Sequence, residues 1–258
     1  MNKRIALLLF TLSMPVSLWA AEIDGRVDWA QRITLGTPVS GVIAEVNAQP
    51  GQRVKQDDVL LKLDSTNFTA RVRRAKAELN KTRYALAEEE RQWERAQELY
   101  ERTVTSDRQL KVSEIAYQTA KANHSSASAE LSMANKALAD SSIRAPFDSV
   151  VIERHVNPAE TVVTKLQHVP MITLGMTGRY HAVGSVDEET AAKLKNGMPV
   201  EVEVDGKTTK AEIVYVAVEP SFGGSKVISA DNNRYIIKAE FASGELLRIG
   251  IPVTIILP

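Results

Sequence analysis

The chain contains no cysteine among its 258 residues. Disulfide bonds, thiolate metal sites, a cysteine nucleophile and an acylated lipoprotein cysteine are therefore excluded. Neither sign of charge is in excess, because lysine plus arginine and aspartate plus glutamate number 32 each. Since a nucleic-acid-binding surface normally requires a basic surplus, nucleic acid is not indicated as a partner.

Motifs that would indicate an enzyme are also missing. The histidines His124, His155, His168 and His181 are scattered, and none forms the i, i+4 pair around a carboxylate that a zinc protease uses. There is no phosphate-binding glycine loop and no Gly-x-Ser-x-Gly motif. The six methionines are dispersed, unlike those of a thioether metal site. We therefore expect no catalytic residue, no metal and no cofactor.

Long apolar runs are likewise absent. The run Ile5 to Val16 has about a dozen mostly apolar residues, which is too few to span a bilayer comfortably. It follows the basic pair Lys3 and Arg4 and precedes Ala20 and Ala21, as in a secretory signal. We predict a signal peptide at residues 1–21 and a soluble periplasmic protein, peripherally associated with the inner membrane. An uncleaved anchor is the alternative.

Between Asn67 and Asp140 there is neither proline nor glycine, and helix-forming residues fill most positions. Seam residues recur with heptad spacing in two arms, which predicts an α-helical coiled-coil hairpin at residues 66–141. Large residues of one arm can face small residues of the other. The first arm has Val72, Leu79, Leu86, Trp93 and Tyr100 with Phe68, Ala75, Thr82, Glu89 and Ala96; the second has Leu110, Tyr117, His124, Leu131 and Leu138 with Ser113, Ala120, Ala127 and Ala134.

The helical pattern breaks near Arg102 to Thr105, where β-branched residues cluster. Ser106 and Gln109 have the spacing of a capping box, which predicts a new helix start. Because about five residues or fewer join the arms, the arms must run antiparallel. Each would be about 50 Å long.

The segments that flank the hairpin are two halves of one module. Short apolar runs alternate with turn signals from Pro38 to Asp64 and again from Pro146 to Val163. Shifting the chain by 108 residues aligns Pro38–Val54 with the second segment without a gap. An internal repeat interrupted by a helical insertion is thus predicted, with its halves at residues 36–65 and 142–177.

These motifs resemble a known family. The runs Gly41 to Val46, Pro50 to Val54 and Leu60 to Asp64 are similar to the first half of the lipoyl-like (biotinyl-like) module of periplasmic adaptor subunits, and Ile143 to Asp148 resembles the start of the second half. These adaptors are also called membrane fusion proteins, of the HlyD and RND-associated type. Ser149 departs from the family, which usually has glycine there, so the turn must tolerate a side chain or adopt another conformation.

From residue 178 to 258 the pattern of short strands predicts a small β-barrel, and residues 22–35 are predicted to return to it as its first strand. The fold class is therefore mainly β with an inserted α-helical hairpin, in an elongated arrangement. The family resemblance also implies a short form, because few residues remain at either end for the membrane-proximal domain of most RND adaptors.

The resemblance implies an adaptor that links an inner-membrane RND-type transporter to a TolC-like outer-membrane channel for efflux, assembled as a ring of six copies. Adaptors that bind such channels carry arginine, leucine four residues later and serine seven residues after that, near the hairpin tip. Arg95, Leu99 and Ser106 have these spacings. Arginine can donate forked hydrogen bonds, leucine offers an apolar knob, and serine can bond backbone groups.

Three alternatives remain open. The first is an adaptor of an ABC-type exporter, although adaptors for one-step protein secretion usually have a longer hairpin and an anchor. The second is a carrier protein with a lipoylated or biotinylated lysine, but the hairpin occupies the junction where that lysine would lie. The third is a free-standing periplasmic structural protein.

Overall fold

The computed structural model describes residues 21–164, 169–220 and 234–258. His168 and, apart from Ala21, the predicted signal peptide lie outside these ranges. No helix within them is long and apolar enough to cross a membrane. The chain forms two compact units, one of residues Arg32–Met176 and one that combines the residues before Arg32 with Thr177–Pro258. The mainly β fold with an inserted helical hairpin, predicted from sequence, is confirmed.

The hairpin belongs to the first unit. Helix α1 spans Thr66–Glu101 and helix α2 spans Asp107–Asp140, with 36 and 34 residues. At a rise of 1.5 Å per residue both are about 50 Å long. The five residues 102–106 join them, so the two helices run antiparallel.

The predicted seam is the least exposed part of both helices. Trp93 of α1 and Tyr117 of α2 stack with ring centroids 4.9 Å apart and planes 2° from parallel. This pair differs from the expected packing of large against small residues, because both of its members are large and their rings stack flat. The fully buried seam residues are Phe68, Ala75, Ala120, Ala127 and Ala134.

The remainder of the first unit consists of two four-stranded sheets. One has the strand order β2-β9-β7-β4 and the other β6-β5-β3-β8. The strands are β2 (Arg32–Leu35), β3 (Gly41–Val46), β4 (Arg53–Val54), β5 (Val59–Leu63), β6 (Ser142–Arg144), β7 (Ser149–Arg154), β8 (Thr161–Val162) and β9 (Ile172–Met176).

The internal repeat is visible in the hydrogen bonds. Gly51 N donates to Val151 O at 2.8 Å, and its counterpart 108 residues on, Ala159 N, donates to Ile43 O at 2.8 Å. The short strand of each half pairs with the long strand of the other, β4 with β7 and β8 with β3. The two halves are therefore related by an approximate twofold axis, which confirms the repeat predicted from sequence.

At two positions the halves keep a similar backbone but have a different residue type. Ala159 has φ +69°, in the left-handed region that Gly51 occupies with φ +83°. Ser149 occupies the place of Gly41 and lies in strand β7, without a positive φ. Of the two options predicted for Ser149, the structure shows the conformation that accepts a side chain. Its hydroxyl, however, is buried and has no hydrogen-bond partner among the residues that the structure describes.

Hydrogen bonds attach the root of the hairpin to these sheets. The hydroxyl of Thr37 donates to Asp140 O at 2.8 Å, at the end of α2. Leu63 N donates to Ser141 O at 2.8 Å. At the start of α1, Asp64 Oδ1 accepts a bond from Thr66 N at 2.9 Å, and the side chain and backbone of Thr66 together lower the pKa of the Asp64 carboxyl. Both helix ends are therefore held at the junction of the two half-modules.

The second unit is a closed barrel of six strands in the order β1-β10-β13-β12-β11-β14, as predicted. Its inward-facing residues, among them Tyr180, Ile213 and Ile255, form a continuous apolar core. Its elements are β1 (Glu22–Trp29), β10 (Arg179–Val186), the short helix α3 (Glu188–Lys193), β11 (Pro199–Val204), β12 (Lys207–Val216), β13 (Tyr235–Ala242) and β14 (Pro252–Ile256).

The expectation that residues 22–35 form one barrel strand requires a correction. Strand β1 ends at Trp29, and Arg32–Leu35 form β2, which pairs with β9 in the first unit. The reason is that Ile33 and Leu35 pack against the apolar core of the two-sheet module. Apolar alternation alone does not show which of two neighbouring cores a strand joins.

Candidate functional site: the hairpin tip

The turn at the tip is built by helix-capping hydrogen bonds. Thr103 N donates to Tyr100 O at 2.9 Å, and Val104 N donates to Leu99 O at 2.8 Å. These two bonds form a Schellman motif, which satisfies carbonyl groups at the end of α1. The motif reverses the chain within a few residues, so the tip is compact.

Thr103 occupies the left-handed position of this motif, with φ +61°. Glycine is the usual residue there because a side chain in this region costs about 1–2 kcal/mol. Thr103 is exposed, so it offers a side chain to solvent at the outermost part of the turn.

Ser106 begins the second helix. Its hydroxyl accepts a hydrogen bond from Gln109 N at 3.3 Å, and its backbone is extended with φ −86° and ψ 154°. Ser106 is therefore the N-cap of α2, as its spacing from Gln109 predicted. Its side chain is exposed, and the hydroxyl proton remains available for a partner.

Arg95 and Leu99 lie one helical turn apart near the end of α1, so they share a face of the helix. Arg95 is exposed and Leu99 is 37% exposed. Within the described residues Arg95 forms no ion pair, whereas the neighbouring Arg91 pairs with Glu88. Hydrogen bonds from Arg91 and Gln92 hold the pKa of the Glu88 carboxyl below its usual value. The Arg95 guanidinium is thus free to bind an acceptor outside the chain.

The tip also has exposed apolar side chains that sequence reasoning did not assign to the site. Val104 is 69% exposed in the turn, and Val112 and Ile115 are exposed on the first turns of α2. Tyr100 was predicted to lie in the seam, yet it is partly exposed because α1 ends where α2 has only begun. The sequence signal that could have identified them is the presence of apolar residues outside the seam positions, close to the break between the two helices.

The remaining candidates for chemistry do not form a site. No group of three or more histidine and carboxylate side chains in the described parts of the chain could hold a metal. His124 lies in the seam, where its Nδ1 is 3.4 Å from the Thr82 hydroxyl. His155 Nε2 is 2.9 Å from the Thr173 hydroxyl. Both histidines are accounted for by packing and hydrogen bonding.

Comparison with known proteins identifies a matching family and several similar proteins. The family model for the CzcB-like barrel-sandwich hybrid domain matches residues 31–170. Two similar proteins are the uncharacterized protein YdhJ of Escherichia coli, 25% identical over 74% of this chain, and the multidrug resistance protein MdtA of Cronobacter turicensis, 24% identical over 73%. The matches cover 66% and 46% of those proteins, so the chain spans less than two thirds of either.

Solved structures share the fold. The membrane fusion protein Spr0693 of Streptococcus pneumoniae is 17% identical, with a TM-score of 0.66 over 91% of this chain and 97% of its own. MacA of Actinobacillus actinomycetemcomitans is 21% identical, with a TM-score of 0.62 over 93% and 78%. A MacA chimera that carries the α-hairpin of Pseudomonas aeruginosa MexA is 23% identical, with a TM-score of 0.61 over 92% and 81%.

Proposed function

This chain belongs to the family of CzcB-like barrel-sandwich hybrid domain proteins, and from that membership we propose that it is the periplasmic adaptor of a tripartite efflux system. In this role it connects an inner-membrane transporter of the RND type to a TolC-like outer-membrane channel. It acts by binding and needs no catalytic group.

The observation that carries the proposal is the place of the hairpin. The helices leave and re-enter the module at Asp64 and Ser141, between its two symmetric halves. In a lipoyl or biotinyl carrier a modified lysine would lie at this junction. A junction that instead projects two helices of about 50 Å favours a protein that reaches a distant partner over one that carries a cofactor.

We assign channel binding to Arg95, Leu99 and Ser106. Arg95 would donate to carbonyl or carboxylate groups at the channel, Leu99 would insert as an apolar knob, and the Ser106 hydroxyl would bond a backbone group while it still caps α2. The exposed Val104 extends the apolar part of this surface. A surface of this size binds weakly per copy, so a ring of six copies would supply the required affinity by avidity.

Substitutions at the tip test this assignment. Arg95→Glu replaces the positive charge at this position by a negative one, and Leu99→Trp changes the shape of the apolar side chain. Both should abolish efflux of ethidium in cells that carry the transporter and the channel, while the helix content and thermal unfolding of the purified protein stay unchanged. Arg74→Glu is the matched control, because Arg74 is exposed three heptads nearer the root. Normal efflux by both tip variants would overturn the assignment.

Crosslinking tests the partners directly, and the absence of native cysteine makes it specific. A cysteine at Leu99 should crosslink to the outer-membrane channel, and one at Lys210 in the barrel should not. Intact mass of the purified protein separates the adaptor from a carrier, since an added lipoyl or biotinyl group would contradict the proposal.

A further inference from the structure

Helix α1 has an ordered charge distribution along its length that the proposed function does not use. From residue 66 to 87 the helix has six basic side chains and one acidic one, whereas residues 88–101 have six acidic and two basic ones. Helix α2 has four of each sign, spread along its length. The root half of α1 is therefore positive and its tip half negative.

Helix stability does not explain this order. The positive end of the helix dipole lies at the N-terminus, so acidic residues stabilise the first turn and basic residues the last. The first turn of α1 has no acidic residue and the last turn has no basic one, while Glu98 and Glu101 lie near its C-terminus. The charges thus run against the dipole, and an external partner is the better explanation.

One stripe of α1 faces away from the seam and carries five of these charged residues, and the basic Lys76 lies beside it. Its members follow each other at alternating spacings of four and three residues, so they share a face of the helix. The stripe begins with the basic Arg73, has an almost uncharged middle around Tyr84, and ends with acidic residues. In order, it consists of Arg73, Ala77, Asn80, Tyr84, Ala87, Arg91, Glu94, Glu98 and Glu101.

Charged side chains toward both ends of this surface form no ion pair with another described residue. Arg73, Lys76, Glu94 and Glu98 are exposed, and none of them forms an ion pair with another described residue. Tyr84 is 68% exposed. Arg73, Glu94, Glu98 and the Tyr84 ring lie in the stripe and Lys76 lies beside it, so this side of α1 is suited to a second helix.

We propose that two copies of this chain associate through this stripe, with their α1 helices antiparallel. When the eight stripe residues from Arg73 to Glu98 are reversed against themselves, Arg73 meets Glu98 of the second copy and Tyr84 meets Ala87. Each pair occurs twice, as a twofold interface requires. Lys76 then lies near Glu94 of the second copy. A parallel arrangement would instead bring Arg73 against Arg73.

This dimer is a different state from the proposed ring. Antiparallel helices place the two hairpin tips at opposite ends, so the two copies cannot engage the same channel together. Arg95 lies one turn from Arg91 and from Glu98, so it borders the stripe, whereas Arg73 and Lys76 lie in the root half of α1, far from the tip residues. Self-association can therefore be tested separately from efflux by substitutions at Arg73 and Lys76.

Analytical ultracentrifugation of the purified full-length exported chain tests the proposal. Exposed charges are screened over about 10 Å at 0.1 M salt and about 3 Å at 1 M. We expect a dimer at 0.1 M NaCl whose dissociation constant rises at least about tenfold at 1 M. A chain that is monomeric at 0.1 M up to ~0.2 mM, or a dimer insensitive to salt, would overturn the proposal.

Charge reversals define the geometry. The variants R73E/K76E and E94K/E98K should each be monomeric at 0.1 M NaCl, and the quadruple variant that combines them should dimerise again. That recovery would also show that loss of the dimer does not come from misfolding. The control K55E/K210E changes the net charge as much as R73E/K76E at exposed sites outside the helix, and it should remain dimeric.

Crosslinking distinguishes the two orientations. A mixture of Arg73→Cys and Glu98→Cys chains, treated with a short bismaleimide, should give mainly the mixed 73–98 product. Predominant 73–73 and 98–98 products would indicate a parallel contact and refute the antiparallel dimer.

Discussion

Replacing Ser149 by alanine should stabilise the two-sheet module. Ser149 is 1% exposed, and within the described parts of the chain its hydroxyl has no hydrogen-bond partner. A buried hydroxyl without a partner costs about 1–3 kcal/mol. Its backbone pairing with Val54 and Met176 does not involve the side chain. Alanine removes the unpaired oxygen and keeps the Cβ, so we expect a gain of about 1 kcal/mol.

Ser141 provides the matched control, because it is 2% exposed but its hydroxyl donates to Leu138 O at 2.6 Å. Losing such a bond costs about 0.5–1.5 kcal/mol, so Ser141→Ala should destabilise the same unit. Replacement by alanine should therefore change the free energy of unfolding in opposite directions at the two buried serines.

Urea denaturation followed by circular dichroism at 222 nm measures both variants, since the two long helices dominate this signal. With a slope of about 1–3 kcal/mol per M, a gain of 1 kcal/mol raises the midpoint by roughly 0.3–1 M. Hydrogen exchange of the β7 amides should slow in Ser149→Ala. A lower midpoint in both variants would refute the reasoning, because it would show that the Ser149 hydroxyl is stabilised in the folded protein.

Three further predictions concern backbone strain and pH. Ala159→Gly should raise the free energy of unfolding in urea and Gly51→Ala should lower it, each by about 1 kcal/mol, because both positions have positive φ. Thr103→Gly should stabilise the tip turn by about 1 kcal/mol for the same reason, measured by slower hydrogen exchange in residues 99–110. Burial, aided by Lys238, lowers the pKa of His181 against the opposing effect of Glu240. The unfolded chain then binds more protons, so stability falls as pH falls through about 6.5. The melting temperature should drop between pH 7.5 and 5.5, and drop less in His181→Gln; an equal drop would contradict this.

The features that sequence predicted well are those fixed by local periodicity. Heptad spacing located the seam because burial in a two-helix contact repeats every three or four residues. The repeat was visible because Pro50 and Pro158 mark equivalent turns, and the structure shows matching hydrogen bonds at those turns. Both signals can be read from the order of residues in the chain, so no knowledge of spatial neighbours was needed.

Features that depend on distant neighbours were missed or left open. Residues 22–35 read as one strand, because alternation continues across the point where Trp29 ends β1 and Arg32 begins β2. The missing partner of the Ser149 hydroxyl could not be predicted either, since it depends on which groups β4 and β9 place around β7. At the tip, the spacing of Arg95, Leu99 and Ser106 was readable, but the exposure of Val104 depends on how the turn folds.

Different faces and ends of the two hairpin helices have different roles. The seam side chains are mostly apolar, so they hold the two helices together without help from the charged outer surface. The root is fixed by Thr37 and Ser141, which limits the directions in which the tip can point. With stability supplied by seam and root, neither the Arg95 side chain nor the free charges of Arg73 and Glu98 are needed for folding. Substitutions there should therefore change binding or association and leave unfolding unaffected, which separates recognition from structure in this protein.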